Sequence, residues 1–484
     1  MTKTRLVPGF TPAPVVKALI NIGALMDIPT GAWITGIHGE KILNGGLACL
    51  TGLTGIGNNF KSTIMHYMLM SAISRIGLSE HTNCSSYDTE LNMHEQHIKD
   101  LSKNFEFFKD KDIFNDQYWA ITDSTKYRAN KWFEVLKEYL DQKRKEKDLI
   151  VNSPFVDRNG QLMPMIVPSF GEIDSFTEFQ SDSEAKLLEE NELGGAGANT
   201  YHMRAGLIKA RFLSEAPPLT ASSYHYLAMT AHLGKEGPSM QTGPMPAQPT
   251  KKLQFLKNGD KMKQVTDKFT FVTQNCWHCY NATPLINQNT KAAEYPVSGQ
   301  ESVSGDTDLM LVTLRQLRGK AGLTGYTLEL VVSQRQGVLP TLSEFHFLRS
   351  NKYFGLVGSQ INYHVALYPD AKLQRTNVRS KIEHEPKLQR AINITSELLQ
   401  MKLYQPNVLD VWCDPQTLYD DIKKLGYDWD TLLQTRGWWT INNDQIEPPF
   451  LSTLDLLNMR AGKYHPYWLS EDKKSIIKHK ESKK

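Results

Sequence analysis

The sequence predicts an α/β protein with a mostly parallel central sheet, a short N-terminal segment and a helical C-terminal region. Three observations indicate this fold class. Apolar runs of strand length alternate with longer helical patterns, which is typical of βαβ units. A glycine-rich turn at residues 54–60 joins one such strand directly to a helix. From about residue 375 the pattern is helical.

The composition excludes several classes of protein. With 484 residues, 40% hydrophobic and 22% charged, the chain is neither wholly disordered nor fibrous. Its formal charge of +3 does not by itself indicate nucleic-acid binding. Five cysteines are too few for a disulfide scaffold and suit a reducing compartment. Because no apolar run reaches about 18 residues, we expect a soluble, cytoplasmic protein that does not enter a membrane.

Three regions are expected along the chain. Residues 1–45 form an N-terminal packing or oligomerisation segment, with an apolar helix at 15–26. Residues 46–350 form the α/β core, which carries an irregular insertion at about 233–305. Residues 351–484 form the helical C-terminal region, which ends in a lysine-rich tail.

The core elements follow from their apolar patterns and their turn residues. Strands are expected at residues 46–53, 83–88, 162–167, 224–232, 309–314, 327–332 and 344–348. Helices are expected from residue 61 to about 76, within 92–148, and at 201–215, where Pro217 and Pro218 end the last of them.

The strongest single signal is a near match to the P-loop pattern of Gly, four residues, Gly, Lys and Ser or Thr. Gly55, Lys61 and Ser62 keep the spacing, whereas Phe60 stands where the second glycine is usual. Such a loop directs backbone N–H groups and a helix N-terminus at phosphate oxygens. We therefore expect ATP and Mg²⁺ here, although an ordinary glycine-rich turn is the alternative. The expected nucleotide-binding residues are Gly55, Gly57, Asn58, Asn59, Phe60, Lys61, Ser62 and Thr63.

Further motifs, in the same order along the chain, resemble those of RecA-family ATPases, in particular the recombinases of T4-type phages. They are Phe60-Lys61-Ser62, Tyr87-Asp88-Thr89-Glu90, Val167-Pro168-Ser169-Phe170-Gly171, Met203-Arg204-Ala205-Gly206-Leu207-Ile208-Lys209, Ala228-Met229-Thr230-Ala231-His232, and the strand from Gly325 to Arg335. The resemblance covers about residues 40–350 and implies a RecA-like P-loop ATPase core. The same core resembles the motor of DnaB-type replicative helicases.

The resemblance implies roles for four residues. Lys61 would reach the β- and γ-phosphates, and Glu90 would activate the attacking water, with Asp88 as the next carboxylate in line. His232 would contact the γ-phosphate, and Arg335 would reach the nucleotide of a neighbouring subunit. Ordinary surface or strand-end positions are the alternatives for the last three.

The sequence leaves two alternatives for the acidic residue that is expected to hold Mg²⁺. If Ser169 and Gly171 are aligned with the family, Pro168 falls where the Walker B aspartate is expected. Asp174 is the nearest carboxylate. Either the register is shifted, which makes Ser62 and Asp174 the metal ligands, or Mg²⁺ is held without that acid and hydrolysis is weak.

Contact with DNA is expected from two loops that follow core strands. The first, at about 175–200, is acidic and therefore suits phosphates poorly. The second, within 233–305, offers Phe255, Phe269 and Trp277 for base stacking. Its lysines are Lys251, Lys252, Lys257, Lys261, Lys263 and Lys268. The alternative is a solvated charged insertion. In the same segment Cys276 and Cys279 form half of a zinc pattern or, more simply, part of a buried turn.

Three functions are consistent with these features. The first is an ATP-dependent recombinase that self-associates into a filament on single-stranded DNA and promotes homologous strand exchange, in the cytoplasm of a host cell if the source is a phage. The second is a ring-forming DnaB-type replicative helicase motor. The third is a nucleotide-binding structural or regulatory protein that hydrolyses little ATP.

Overall fold

The computed structural model describes residues 17–76, 81–157, 159–182, 197–235, 255–256, 260–265, 268–297, 307–320, 322–359 and 361–477, with the backbone alone for 197–205 and 235. The strands are β1 (Ala32–Thr35), β2 (Lys41–Asn44), β3 (Leu50–Gly55), β4 (Cys84–Asp88), β5 (Trp119–Asp123), β6 (Ile150–Val156), β7 (Leu162–Ile166), β8 (Ser169–Asp174), β9 (His225–Lys235), β10 (Asp260–Met262), β11 (Asn275–Pro284), β12 (Leu309–Gly319), β13 (Thr327–Ser333), β14 (Gly337–Val338), β15 (Leu356–Gly358), β16 (Tyr363–Val365) and β17 (Tyr368–Leu373).

The helices are α1 (Asp27–Thr30), α2 (Lys61–Ile76), α3 (Glu95–Ser102), α4 (Ala129–Lys143), α5 (Gly197–Ser223), α6 (Lys268–Val272), α7 (Pro340–Ser350), α8 (Val378–His384), α9 (Pro386–Tyr404), α10 (Pro415–Lys424), α11 (Trp429–Leu432) and α12 (Thr453–Arg460). Single 3₁₀ turns lie at Glu106–Phe108, Lys147–Leu149, Phe176–Glu178, Pro406–Val408 and Asn443–Gln445. No described helix is long and apolar enough to cross a membrane.

A ten-stranded mixed sheet organises the molecule. Nine strands follow the order β14-β13-β12-β11-β3-β9-β8-β4-β5, and β10 pairs with β9 beside this path. From β11 to β5 all neighbours are parallel, whereas β12, β13, β14 and β10 pair antiparallel. The fold is therefore α/β with a parallel core, and the strands that follow β11 turn the sheet antiparallel.

Two apolar layers cover the sheet. On one face α2 buries Ile64, Met65 and Met68 against sheet residues such as Leu53 and Val332. On the other face α4 and α5 bury side chains against Ile173 and Met229. Because α2 is buried along most of its length, its first residues are held rigidly at the end of β3.

The predicted N-terminal helix at 15–26 is wrong over the residues that the structure describes, 17–26. The backbone is extended there, and Ile20 exchanges two backbone hydrogen bonds with Leu47. Gly23, Ala24 and Leu25 then turn with positive φ angles of 76°, 48° and 69°. The buried Asn21 amide donates to two carbonyl oxygens, that of Leu43 in β2 and that of Gly45 just after it. Residues 17–26 therefore form a strap, by which we mean a segment that is not helical and packs on the core.

Three further predicted elements differ from the structure. The 344–348 strand is part of α7, because Leu342, Phe345 and Leu348 recur every third residue and are all buried. Helix α5 continues through Pro217 and Pro218 to Ser223. The predicted helical region 92–148 also contains the edge strand β5.

The C-terminal region, expected at 351–484, is helical from Val378 onward, but its first part forms the unpredicted three-stranded sheet β15-β16-β17. Its apolar side chains share one buried cluster with sheet residues Leu309 and Val331 and with Ile28 and Leu43 of the N-terminal segment. Residues 351–477 are thus packed on the core through a continuous apolar interior.

Candidate functional site

The candidate site lies at the carboxyl edge of the parallel strands, where open α/β sheets present their functional groups. Gly55 at the end of β3 is paired with His232 of β9 on one side and with Cys279 of β11 on the other. Asp88 at the end of β4 is paired with Asp174 at the end of β8. The carboxyl ends of β3, β4 and β8 therefore lie at the edge that holds the phosphate-loop candidate, and His232 of β9 and Cys279 of β11 stand at the same level.

The loop from Ile56 to Phe60 joins β3 to α2 with two left-handed residues. Asn58 has φ of 59° and Phe60 has φ of 58°. A left-handed backbone is the reason that glycine is usual at such a position, because a Cβ atom is strained there. The half-buried ring of Phe60 packs against the apolar cluster below α2. Phe60 thus keeps the backbone shape of the missing glycine while its ring anchors the loop.

Lys61 begins α2 and lies across the loop. Its Nζ donates to the carbonyl oxygen of Ile56 at 2.8 Å. Burial lowers the pKa of Lys61, while Asp174 and Glu90 are close enough to counter that effect. The Asn59 amide donates to the Cys279 carbonyl oxygen at 2.9 Å and fixes the loop to β11. The cationic group is therefore present within a rigid turn of backbone N–H groups.

Ser62 and Asp174 are in direct contact. The Ser62 hydroxyl donates to one oxygen of the Asp174 carboxylate at 2.5 Å. Thr230 on β9 donates to the other oxygen. Asp174 is 5% exposed, and burial raises the pKa of its carboxyl group. A hydroxyl and a carboxylate in direct contact supply oxygen ligands of the kind Mg²⁺ prefers, so these residues fit the expected ion.

The positions of Pro168 and Asp174 bear on the acidic residue that the sequence left open. Strand β8 begins at Ser169, so Pro168 precedes the strand and lies at the opposite end from the phosphate-loop candidate. Asp174 stands at the carboxyl end of the strand, where it contacts Ser62. This geometry favours Asp174 over Pro168 as the acidic position.

Glu90 lies just beyond β4 and contacts His232. His232 Nε2 and Glu90 Oε1 are 2.6 Å apart. The hydrogen bond from His232 holds the pKa of Glu90 at about 2, so this carboxylate remains ionised at neutral pH. His232 is itself fixed by its backbone N–H, which donates to Thr177 Oγ1 at 2.9 Å.

Asp88 was the second candidate for the water-activating base, but its carboxylate is engaged elsewhere. It is 3% exposed, and its two carboxylate oxygens accept the backbone N–H groups of Glu90 and Met93 at 3.1 and 2.9 Å. Both oxygens are thus engaged by the loop that carries Glu90. Asp88 shapes this loop, and Glu90 is the carboxylate that faces the open edge.

Sequence reasoning missed three threonines at this edge: Thr89, Thr177 and Thr230. Each has its hydroxyl bonded to a neighbouring strand end or to the residue that follows one. The only signal in the sequence is that each lies within three residues of Glu90, Asp174 or His232. That signal is weak, because strand-end threonines are common.

Arg335 is placed differently from the other predicted residues. It lies in the exposed turn between β13 and β14, at the same edge of the sheet. Within the described residues its guanidinium makes no hydrogen bond or ion pair, and its backbone N–H donates to Ser333 Oγ. Arg335 therefore takes no part in the contacts that connect Glu90, Lys61 and Asp174 with their neighbours.

The predicted DNA segment is only partly described. Lys251, Lys252 and Lys257 lie outside the described residues. Lys261 in β10 and Lys263 just after it are exposed, and the Lys263 N–H donates to the His232 carbonyl oxygen at 2.9 Å. The lysine segment is thus attached directly to the strand that ends near Glu90.

Other parts of the predicted insertion are core structure. Residues 275–284 form β11, next to the phosphate-loop strand. Trp277 and Phe269 are 2% and 0% exposed, so neither is available for stacking on a base. Lys268 donates to groups of α5, at Ala210 and Ser214. The apolar residues of this segment, which looks irregular in the sequence, are therefore part of the buried core.

Cys276 and Cys279 are both buried in β11, and burial raises the pKa of each thiol to about 12. They occupy a strand, where the sequence had suggested a turn. Among the residues that the structure describes, no group of three His, Cys, Asp or Glu side chains could hold a metal ion. The zinc alternative has no support in this geometry.

No protein-family model matches the chain, and no curated protein matches it in sequence.

Proposed function

We propose that the protein is an ATP-dependent recombinase that assembles on single-stranded DNA and promotes homologous strand exchange. One observation carries the ATPase part of this proposal. The Ser62–Asp174 contact joins the first turn of α2 to the end of β8, directly beside Lys61. A cation, a hydroxyl and a carboxylate at the mouth of a glycine-rich turn are the parts that a nucleoside triphosphate with Mg²⁺ requires.

The residues of the loop have separable tasks in binding. The backbone N–H groups of residues 57–62 and the N-terminus of α2 face the phosphates. Lys61 exchanges its bond to the Ile56 carbonyl for the β- and γ-phosphate oxygens. Ser62 and Asp174 would hold Mg²⁺, which neutralises charge that develops on the phosphate oxygens. Thr230 keeps the Asp174 carboxylate in the required orientation.

Glu90 then acts on the attacking water. It is ionised and lies at the open edge, so it can accept a proton from a water placed between it and the γ-phosphate. Its contact with His232 connects this step to β9 and to the lysine segment that follows. DNA bound by that segment has a short structural route to the water-activating group.

The arrangement of strands supports a RecA-like core. The strand ends that the sequence motifs assigned to phosphate binding, γ-phosphate sensing, metal binding and water activation belong to β3, β9, β8 and β4. These are consecutive neighbours in the sheet. Arg335 is exposed at the same edge and suits contact with a nucleotide on a neighbouring subunit, as self-association requires.

The testing experiment measures ATP turnover with Mg²⁺, in the presence and absence of single-stranded DNA, and images the assemblies by electron microscopy. We expect turnover that DNA stimulates and open filaments along the DNA, followed by pairing of homologous strands. Closed rings that unwind duplex DNA would replace the proposal with the helicase alternative. Tight ATP binding with no turnover in either condition would replace it with a regulatory nucleotide binder.

A further inference from the structure

Thr89 joins the two strand ends that carry the catalytic candidates. It stands between Asp88 and Glu90 on the chain, and its backbone N–H donates to the Asp174 carbonyl oxygen at 2.8 Å. Its hydroxyl accepts the Ser175 N–H at 2.6 Å and donates to the Ser175 carbonyl oxygen at 2.9 Å. The Thr89 hydroxyl therefore bonds both backbone polar groups of Ser175, the residue after Asp174.

These hydrogen bonds connect the chain beside Glu90 with the chain beside Asp174. One covalent step separates Thr89 from Glu90, and one separates Ser175 from Asp174. The Asp174 side chain is in turn fixed by Ser62 and Thr230. The Thr89 hydroxyl is thus one of the contacts that set the position of Glu90 relative to the proposed metal-binding pair. Asp88 fixes the remaining freedom of the loop by accepting the Glu90 N–H.

We infer that Thr89 is a positioning residue, which sets the distance between the water-activating Glu90 and the nucleotide held by Ser62 and Asp174. The inference rests on the proposed ATPase function. Thr89 touches neither the nucleotide nor the water. Positioning matters because a misplacement of about 1 Å in an active site can lower a rate by about 100-fold.

A purely structural role predicts something different. If Thr89 only stabilised the fold, removal of its hydroxyl would lower the stability of the protein, because the Ser175 N–H and carbonyl oxygen would lose their partner. The turnover rate of the folded fraction would then be unchanged. A positioning role predicts that the folded, nucleotide-bound protein itself turns over slowly.

The experiment compares Thr89→Val, which keeps the shape and removes the hydroxyl, with Thr89→Ser, which keeps the hydroxyl. Thr82→Val is the matched control, because Thr82 is a buried threonine at the other end of β4 whose hydroxyl has no partner among the described residues. We expect kcat of Thr89→Val to fall by about 10- to 100-fold with KM for ATP unchanged. Thr89→Ser and Thr82→Val should stay within about threefold of the wild type. Thr89→Ala repeats the test if the valine variant does not fold.

The outcomes separate the two proposals. A wild-type protein that shows no ATP turnover with DNA removes the proposed function and this inference together. A wild-type protein that turns over ATP, beside a Thr89→Val variant with the kcat of Thr82→Val, overturns the positioning role alone. The positioning role is also overturned if Thr89→Ser is as slow as Thr89→Val. It is overturned as well if Thr89→Val loses kcat/KM only because its KM for ATP rises.

Discussion

His232 Nε2 lies 2.6 Å from Glu90 Oε1, so the proposed sensor of the γ-phosphate is bonded to the proposed water-activating base. The two residues come from β9 and from the loop after β4, with β8 between these strands. The pair therefore spans Asp174, the proposed metal ligand. Beyond His232 the strand pairs with β10, which contains Lys261. The proposed ATP chemistry and the proposed DNA contact thus share one strand.

The first prediction concerns Glu90. Glu90→Gln should retain ATP binding and lower turnover by about 10²–10⁴-fold, because the neutral amide has a similar shape but cannot accept the proton of the water. Steady-state turnover and binding of a fluorescent ATP analogue measure the two quantities. Glu95→Gln, in the first turn of α3, is the control and should have the wild-type rate. A full rate in Glu90→Gln would show that another group activates the water.

The second prediction concerns Lys61. Lys61→Ala should abolish ATP binding, because in the described loop no other side chain brings a positive charge to the phosphates. Equilibrium titration with ATP checks this result. Lys126→Ala, at an exposed position after β5, should bind as the wild type does. Unchanged affinity in the Lys61 variant would disprove the phosphate-loop assignment.

The glycine-rich turn and α2 could be predicted from sequence because their signals are local. Glycines beside an apolar strand, followed by Lys61 and an apolar helix, need no tertiary information. The position of Asp174 could not be predicted in the same way. Its role depends on the pairing of β8 with β4 and β9, whereas the motif Val167–Gly171 suggested a register six residues away from the observed strand end.

The elements whose predictions were wrong share one physical cause. A short apolar run has the same composition in a buried helix, in a buried strand and in an extended strap. Residues 17–26 became a strap because the Asn21 amide has carbonyl partners at Leu43 and Gly45, which are more than 20 residues away. Thr89 was overlooked for a similar reason, since its hydroxyl bonds to a residue 86 positions further along the chain.

The third prediction tests the backbone at Phe60. Phe60→Gly and Phe60→Ala both remove the ring, but only alanine keeps a Cβ in the left-handed region. The glycine variant should therefore be more stable than the alanine variant by about 1 kcal/mol. Chemical unfolding of both variants measures the difference. At Ile56, an exposed loop residue without a positive φ angle, glycine should not be the more stable choice. Equal stability of the two Phe60 variants would contradict the left-handed conformation.

The fourth prediction is a pH dependence of stability. Glu344 of α7 is 5% exposed, and burial raises its pKa from 4.5 to about 8. Between these values the folded protein keeps a proton that the unfolded chain releases. The free energy of unfolding should therefore fall as the pH rises from 4.5 to 8, by at most about 1.4 kcal/mol per pH unit for this group.

Glu344→Gln should reduce that slope, because the amide has no proton to lose. The slope should not vanish, since burial also raises the pKa of Asp27 to about 6 and that of Glu397. Denaturant unfolding at several pH values provides the measurement, with Glu329→Gln at an exposed position of β13 as the control. An unchanged slope in the Glu344 variant would mean that this carboxyl group is ionised in the folded protein.

The last prediction concerns DNA. Replacement of Lys251, Lys252 and Lys257 together by alanine should weaken binding of single-stranded DNA, because these lysines precede β10 and its contact with the His232 strand. Each lost phosphate contact should flatten the slope of log affinity against log salt concentration by about 0.7. Loss of all three contacts therefore changes the slope by about 2.

ATP binding without DNA should be unaffected, because Lys61, Ser62 and Asp174 are held by contacts within the described core. Replacement of Lys473 and Lys474 together, which removes two charges from the C-terminal region, is the control and should leave the slope unchanged. If this pair changes the slope and the three lysines do not, the C-terminal tail is the DNA contact, and the route from DNA through His232 to Glu90 is lost.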